Sequence, residues 1–236
     1  MGANVFIITT PWHVVMMKKY YTSLMGVSAR EKTRVHLLEK AKLSGRYFQL
    51  RPFTSTVPLV EKLSLAGSLA RAEGRLTIEY VLQGPMAGIH RAEMSSASSR
   101  CDALWRHTCF EFFFARKDES SYWEVNVNLS GCWNVYRFDD YRTGMREEQT
   151  VVQPLCRIVT ENNLLSLICT MDLIGIVDDS SELEVGISSV IEASDGSISY
   201  WALEHYGQNP DFHDRRSFGV LLPGLKEAPR CKDPIQ

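Results

Sequence analysis

At 236 residues, with 44% hydrophobic and 23% charged, the chain can bury a sizeable core and has ordinary globular composition. A formal net charge of −2 lacks the basic footprint of a nucleic-acid binder. No stretch reaches the ~18–20 apolar residues of a membrane-spanning helix.

The apolar run 5–17 lacks a basic region before it and contains Pro11 and His13, so it makes a poor secretory signal. Residues 1–46 read as an N-terminal extension, because periodicity restarts only near Tyr47. From there the punctuation is that of an all-β domain, with strands expected at 59–70, 75–82, 109–115, 122–129, 132–138, 164–173, 183–192, 198–205 and 217–222. Ala72-Glu73-Gly74 and Ser194-Asp195-Gly196 are hairpin loops. The segment 84–102 is too polar for a strand and reads as an exposed loop. The tail 223–236, rich in proline and charge, reads as disordered. Six cysteines lie at 101, 109, 132, 156, 169 and 231 without C-x-x-C spacing, which argues against a zinc site or redox dithiol. A reducing, cytoplasmic setting is the simpler reading, and the even count leaves disulfides open.

The run 104–145 carries the most chemistry. In 109–115, Phe110, Phe112 and Phe114 point one way, with Cys109, Glu111 and Phe113 the other; in 122–129, Trp123, Val125, Val127 and Leu129 oppose Tyr122, Glu124, Asn126 and Asn128. The charged loop 116–121 pairs these strands as a hairpin with Glu111 opposite Asn126. A two-residue turn at Ser130-Gly131 then sets Glu124 opposite Arg137 and Asn128 opposite Trp133. One patch would gather Glu111, Glu124, Asn126, Asn128, Trp133 and Arg137, and a one-residue slip would scatter it.

The segments LWRHTCFEFFFA, YWEVNVNLSGCWNVYRFDDYRTGM, VGISSVIE, SYWALEHYG and PDFHDRRSF resemble a DOMON-like domain of the family 9 carbohydrate-binding-module type, over residues 47–222. The resemblance implies an immunoglobulin-like or jelly-roll β-sandwich of mainly antiparallel strands. Its sugar-binding relatives hold the ligand between two tryptophans and hydrogen-bond it through a carboxylate, an arginine and amides. Matched by motif, Trp105 and Trp201 are the tryptophans, Glu111 the carboxylate and Arg137 the arginine. The chain departs from the usual pattern at Asn128-Leu129 and at Cys132.

Sugar recognition also fits the patch by its chemistry, since pyranose C–H faces lie on aromatic rings while hydroxyls need paired polar partners. The expected ligand-binding set is therefore Trp105, Glu111, Glu124, Asn126, Trp133, Arg137, Trp201 and His205, for a small carbohydrate or similar polar ring compound. No cofactor, metal, membrane or nucleic acid is expected. Burial of the tryptophans in the core and a plain ion pair between Glu124 and Arg137 are the structural alternatives. His107, His205 and His213, with Asp211, invite a metal reading, but hydrogen bonds that anchor a loop are the simpler role for such residues. Haem binding, with Met145 or Met171 supplying sulfur, and a partner-binding module with a vestigial site are the alternatives in function. Glu111 and Glu124 could pair as acid and base in glycoside hydrolysis, yet no other motif supports an enzyme.

Overall fold

A computed structural model describes residues 45–54, 56–91 and 98–225. Residues 1–44 and 226–236, where the extension and most of the tail were expected, lie outside the described residues. Thirteen strands follow in chain order: β1 Arg46–Pro52, β2 Ser64–Ala72, β3 Arg75–Gln83, β4 Ser99–Arg100, β5 Cys109–Arg116, β6 Tyr122–Asn128, β7 Cys132–Phe138, β8 Arg146–Glu147, β9 Leu155–Glu161, β10 Leu164–Asp172, β11 Leu183–Glu192, β12 Ile198–Ala202 and β13 Val220–Leu222. One layer runs β1-β2-β3-β10-β9 and the other β4-β7-β6-β5-β11-β12, with β8 on β7 and β13 on β11. Strand β1 belongs to both: its first residues pair with β2, and Arg51 and Pro52 pair with Ala202 and Trp201 of β12. Every pairing is antiparallel except the short β4–β7 contact. The architecture is the all-β sandwich expected.

The core forms where the two inner faces meet. Phe110, Phe112, Phe114, Trp123, Val125 and Val127 from one layer pack on Leu65, Leu69, Leu76, Ile78, Tyr80, Leu82 and Leu167 from the other. Each large side chain so buried contributes roughly 1.5–3 kcal/mol relative to exposure. Phe114 and Trp123 stack at 5.1 Å with planes 7° apart. Tyr80 fastens the layers: its ring lies 5.1 Å from that of Phe110 and its hydroxyl donates to the Glu111 carbonyl at 2.6 Å.

Several expectations need correction. The sequence pattern shows neither β1, where only Phe48 and Leu50 are buried, nor β9, where no side chain is fully buried, because so few inward residues leave little alternation to read. The segment 84–102 is not simply an exposed loop: Met86 and Ile89 plug into the core, and Ser99–Arg100 joins β7. Next to it, Cys101 and Cys132 form a disulfide, whereas a reducing setting favoured free thiols. Cys156 and Cys169 face each other across β9 and β10 with sulfurs 2.9 Å apart.

Candidate functional site

The outer face of β5, β6, β7 and β11 carries the candidate site. Glu111 pairs with Asn126, as the hairpin pattern implies. On the next strand the register differs by one: Glu124 faces Tyr136, Asn126 faces Asn134, and Val127 faces Trp133. The cause is Asn128. Its Oδ1 accepts from the backbone N–H of Ser130 and Cys132 and from the Ser130 hydroxyl, at 3.0, 3.0 and 2.8 Å. This Asx cap, with Gly131 at φ 91°, makes a three-residue turn instead of a two-residue one.

Because strand faces alternate, the slip moves two expected site residues to the inner side. Trp133 is 5% exposed within the core, with the Arg100 guanidinium 4.4 Å over its ring. The Arg137 guanidinium lies 5.3 Å over Trp123. Asn134 and Tyr136 take their places, and the Asn134 amide donates to the Tyr136 hydroxyl at 3.0 Å. On β12, Trp201 also points inward, its indole N–H donating to Ser199 Oγ at 3.0 Å, so the outward aromatic is Tyr200. His205 sits away from the others, its Nε2 bonded to the Arg51 carbonyl at 3.0 Å and its ring 5.2 Å from Phe53.

What remains is a cavity of about 320 Å³ lined by Trp105, Phe138, Tyr200 and Phe212 as aromatics, Glu111 and Glu124 as acids, and Arg142, Met145 and His213 beside them. Trp105 leans edge-on against Tyr136 at 5.7 Å. Asn126 lies fully buried behind the carboxylates, its amide donating to Glu124 Oε1 at 2.7 Å. Of the eight expected ligand-binding residues, Trp105, Glu111 and Glu124 line the cavity and Asn126 supports it. Trp133, Arg137, Trp201 and His205 do not reach it.

The segments 139–145 and 203–219 cover the face. Asp211 holds them together, accepting from the Tyr141 hydroxyl at 2.6 Å, from the Arg142 guanidinium at 2.8 Å and from the His213 N–H at 3.2 Å. Phe218 lies over Gly186 on β11, where an added Cβ would sit 2.8 Å from its ring, so only glycine lets the cover seat. Tyr200, Phe212, His213 and Arg142 all fall within segments that carry the family resemblance, yet no period singles them out as one group.

Electrostatics at the cavity floor are unusual for a surface. Glu111 and Glu124 are 2% and 4% exposed. Burial and then the Glu124 charge push the Glu111 carboxyl well above its ordinary range. Burial likewise raises Glu124, to about 7, against the opposing pull of the Asn126 amide and Arg142. Burial and then Arg142 lower His213 to about 4, so its imidazole is neutral near pH 7. The Tyr122 hydroxyl accepts from the Arg142 backbone N–H at 3.1 Å and shares a hydrogen bond with His213 Nδ1 at 2.8 Å. His213 Nε2 lies 3.8 Å from Glu124 Oε2, a contact between a neutral ring and a carboxyl. Glu111 Oε1 is buried with no hydrogen bond of good geometry, while the Cys109 thiol and the Ser188 hydroxyl opposite it on β11 lie close enough to oppose the rise of its carboxyl.

No protein-family model matches the chain, and no curated protein matches it. Among solved structures, a Bacteroides uniformis protein provisionally described as carbohydrate-binding superimposes with a TM-score of 0.57 at 13% identity, covering 79% of this chain and 88% of that one. A family 9 carbohydrate-binding module from Caldicellulosiruptor kristjanssonii in complex with glucose gives a TM-score of 0.48 at 10% identity over 81% and 90% of the two chains. The same kind of module from that organism with cellotriose gives 0.44 at 8% identity over 68% and 73%. The chain thus shares its β-sandwich fold with the Bacteroides uniformis protein.

Proposed function

We propose that this chain is a carbohydrate-binding β-sandwich module that takes a small sugar, or a similar polar ring compound, without turning it over. The observation that carries this reading is a cavity floored by the Glu111 and Glu124 carboxyls and walled by Trp105, Phe138, Tyr200 and Phe212. Carboxyls so poorly hydrated gain from hydrogen bonds to ligand hydroxyls, while the ligand's C–H faces lie on the rings. The description of the Bacteroides uniformis protein as carbohydrate-binding supports the same reading.

Binding is favoured over hydrolysis because the chain carries no further catalytic motif beside the two carboxyls, and the Bacteroides uniformis protein is described as carbohydrate-binding. Haem is disfavoured because His213 has Nδ1 engaged by Tyr122 and Nε2 turned to Glu124. Isothermal titration of the protein against a panel of monosaccharides and short oligosaccharides tests the proposal. The expected result is saturable heat with at least one sugar, abolished in Glu111→Ala. Absence of heat across the panel overturns it.

A further inference from the structure

A second cluster of ligating side chains sits outside the cavity, at the end of β11. Glu192 is the last residue of that strand, His90 follows the 3-10 turn Met86–Gly88, and His107 directly follows the 3-10 turn Leu104–Arg106. The Nδ1 atoms of both histidines converge on one oxygen, Glu192 Oε2, at 2.8 Å from His107 and 3.2 Å from His90. One ligand atom from each residue lies within 4.8 Å of the other two.

The backbones beneath them are stapled. The His90 N–H donates to the Glu192 carbonyl at 2.8 Å, and the Ser194 N–H donates to the Gly88 carbonyl at 2.9 Å. The Thr108 hydroxyl donates to the His90 carbonyl and accepts from the Glu192 N–H, both at 3.1 Å. Ile89 and Ala193 form a β-bridge. Thr108 is 5% exposed, whereas the His90 and His107 side chains are 51% and 66% exposed. The support is therefore buried and fixed, while the imidazoles stay open to solvent and to exchange.

Without a cation, Glu192 Oε2 accepts a hydrogen bond from the His107 Nδ1–H, and His90 Nδ1 stands beside the same oxygen at 3.2 Å. A dication placed among the three atoms reverses that arrangement: each Nδ1 becomes a lone-pair donor and the carboxylate a direct ligand. The geometry points to a binding site for a borderline-soft transition-metal dication of the zinc class, held by His90, His107 and Glu192 with remaining positions open to water. Two imidazoles and one carboxylate suit zinc, cobalt or nickel, whereas calcium and magnesium require a shell of oxygens. Bonds of ~2.0–2.2 Å put tetrahedral ligand atoms about 3.4 Å apart, close to the present separations from Glu192, so small rotations of the two exposed rings complete the set. His107 lies two residues beyond Trp105, and Glu192 two beyond Val190, both of which line the cavity. A metal here would brace one wall of the cavity against another, although the site stands independently of what the cavity binds.

Cobalt(II) titration of the full-length protein after EDTA dialysis tests this, read by d–d absorption and, in parallel, by zinc calorimetry. One equivalent is expected to bind, with His90→Ala, His107→Ala and Glu192→Gln each weakening uptake ~10–100-fold or more, taking the loss seen for outer-shell partners as a floor. The two histidine variants should melt like the parent in EDTA, since their rings are exposed, so lost uptake in them does not reflect misfolding. No uptake at millimolar cobalt overturns the proposal. Uptake that persists in the His90→Ala, His107→Ala double variant also overturns it, because the metal is then held elsewhere in the chain.

Discussion

Glu111 and Glu124 stand diagonally across the β5–β6 ladder, Glu111 opposite Asn126 and Glu124 opposite Phe113, so two acids share one floor that water barely reaches. Burial raises the proton affinity of both, and the Glu124 charge raises that of Glu111 further. The cavity's polarity therefore depends on pH near neutrality.

Folding stability should carry the same signature. The raised Glu124 carboxyl stabilises the folded state fully below about 4.5, and that contribution is lost as pH rises through about 7. His213, lowered to about 4 from 6.5, works in the opposite direction: its contribution is present above 6.5 and lost as pH falls toward 4. Glu124→Gln removes one of the acids. Relative to the parent, it should gain about 3 kcal/mol more at pH 8 than at pH 4.5, an upper figure from a shift of this size. Urea denaturation at both pH values checks this, and identical pH profiles for the two proteins would count against a raised Glu124.

Trp105 is the partly exposed indole of the cavity wall. Trp105→Ala should leave the fold intact and weaken sugar binding by roughly tenfold, about 1.4 kcal/mol, the scale of one lost aromatic contact. Calorimetry checks the affinity, and a thermal melt checks the fold. Equal affinity in the variant would remove Trp105 from the site.

How much of this was legible depended on where each structural decision is made. The Phe110, Phe112, Phe114 alternation and the charged loop 116–121 are local, and both the β5–β6 pairing and the burial of Trp123 could be read from them. The β6–β7 register turned on whether one asparagine side chain caps the turn, which composition does not announce. On β12, Tyr200 and Trp201 are equally plausible outward residues, and packing of the opposite layer decides between them. Phe212, His213 and Arg142 arrive from irregular segments with no period to follow, so their meeting over Glu124 is a tertiary event.

Tyr80 links the two layers through the Glu111 carbonyl. Tyr80→Phe keeps the ring but leaves that buried acceptor without its donor, and should destabilise by about 1–3 kcal/mol. Chemical denaturation measures it. A change below a few tenths of a kcal/mol would mean the bond contributes little.

Gly67 on β2 lies against β3 so closely that an added Cβ would sit 1.8 Å from the Glu79 carbonyl oxygen and 2.6 Å from the Phe48 ring. Backbone cannot yield as a side-chain tip can. Gly67→Ala should lower stability by ~1–3 kcal/mol or more through overpacking, seen as a reduced denaturation midpoint. A midpoint equal to the parent's would contradict the packing described.

The three-residue turn capped by Asn128 determines the parity of everything after it on β7. Gain or loss of a single codon in that turn would invert the strand, bringing Trp133 and Arg137 to the cavity side and sending Asn134 and Tyr136 into the core. The hairpin tip thus selects which side chains of β7 face outward, an amide and a phenol or an indole and a guanidinium, so one inserted residue there would remake the outer face of the sheet without any substitution in the strand itself.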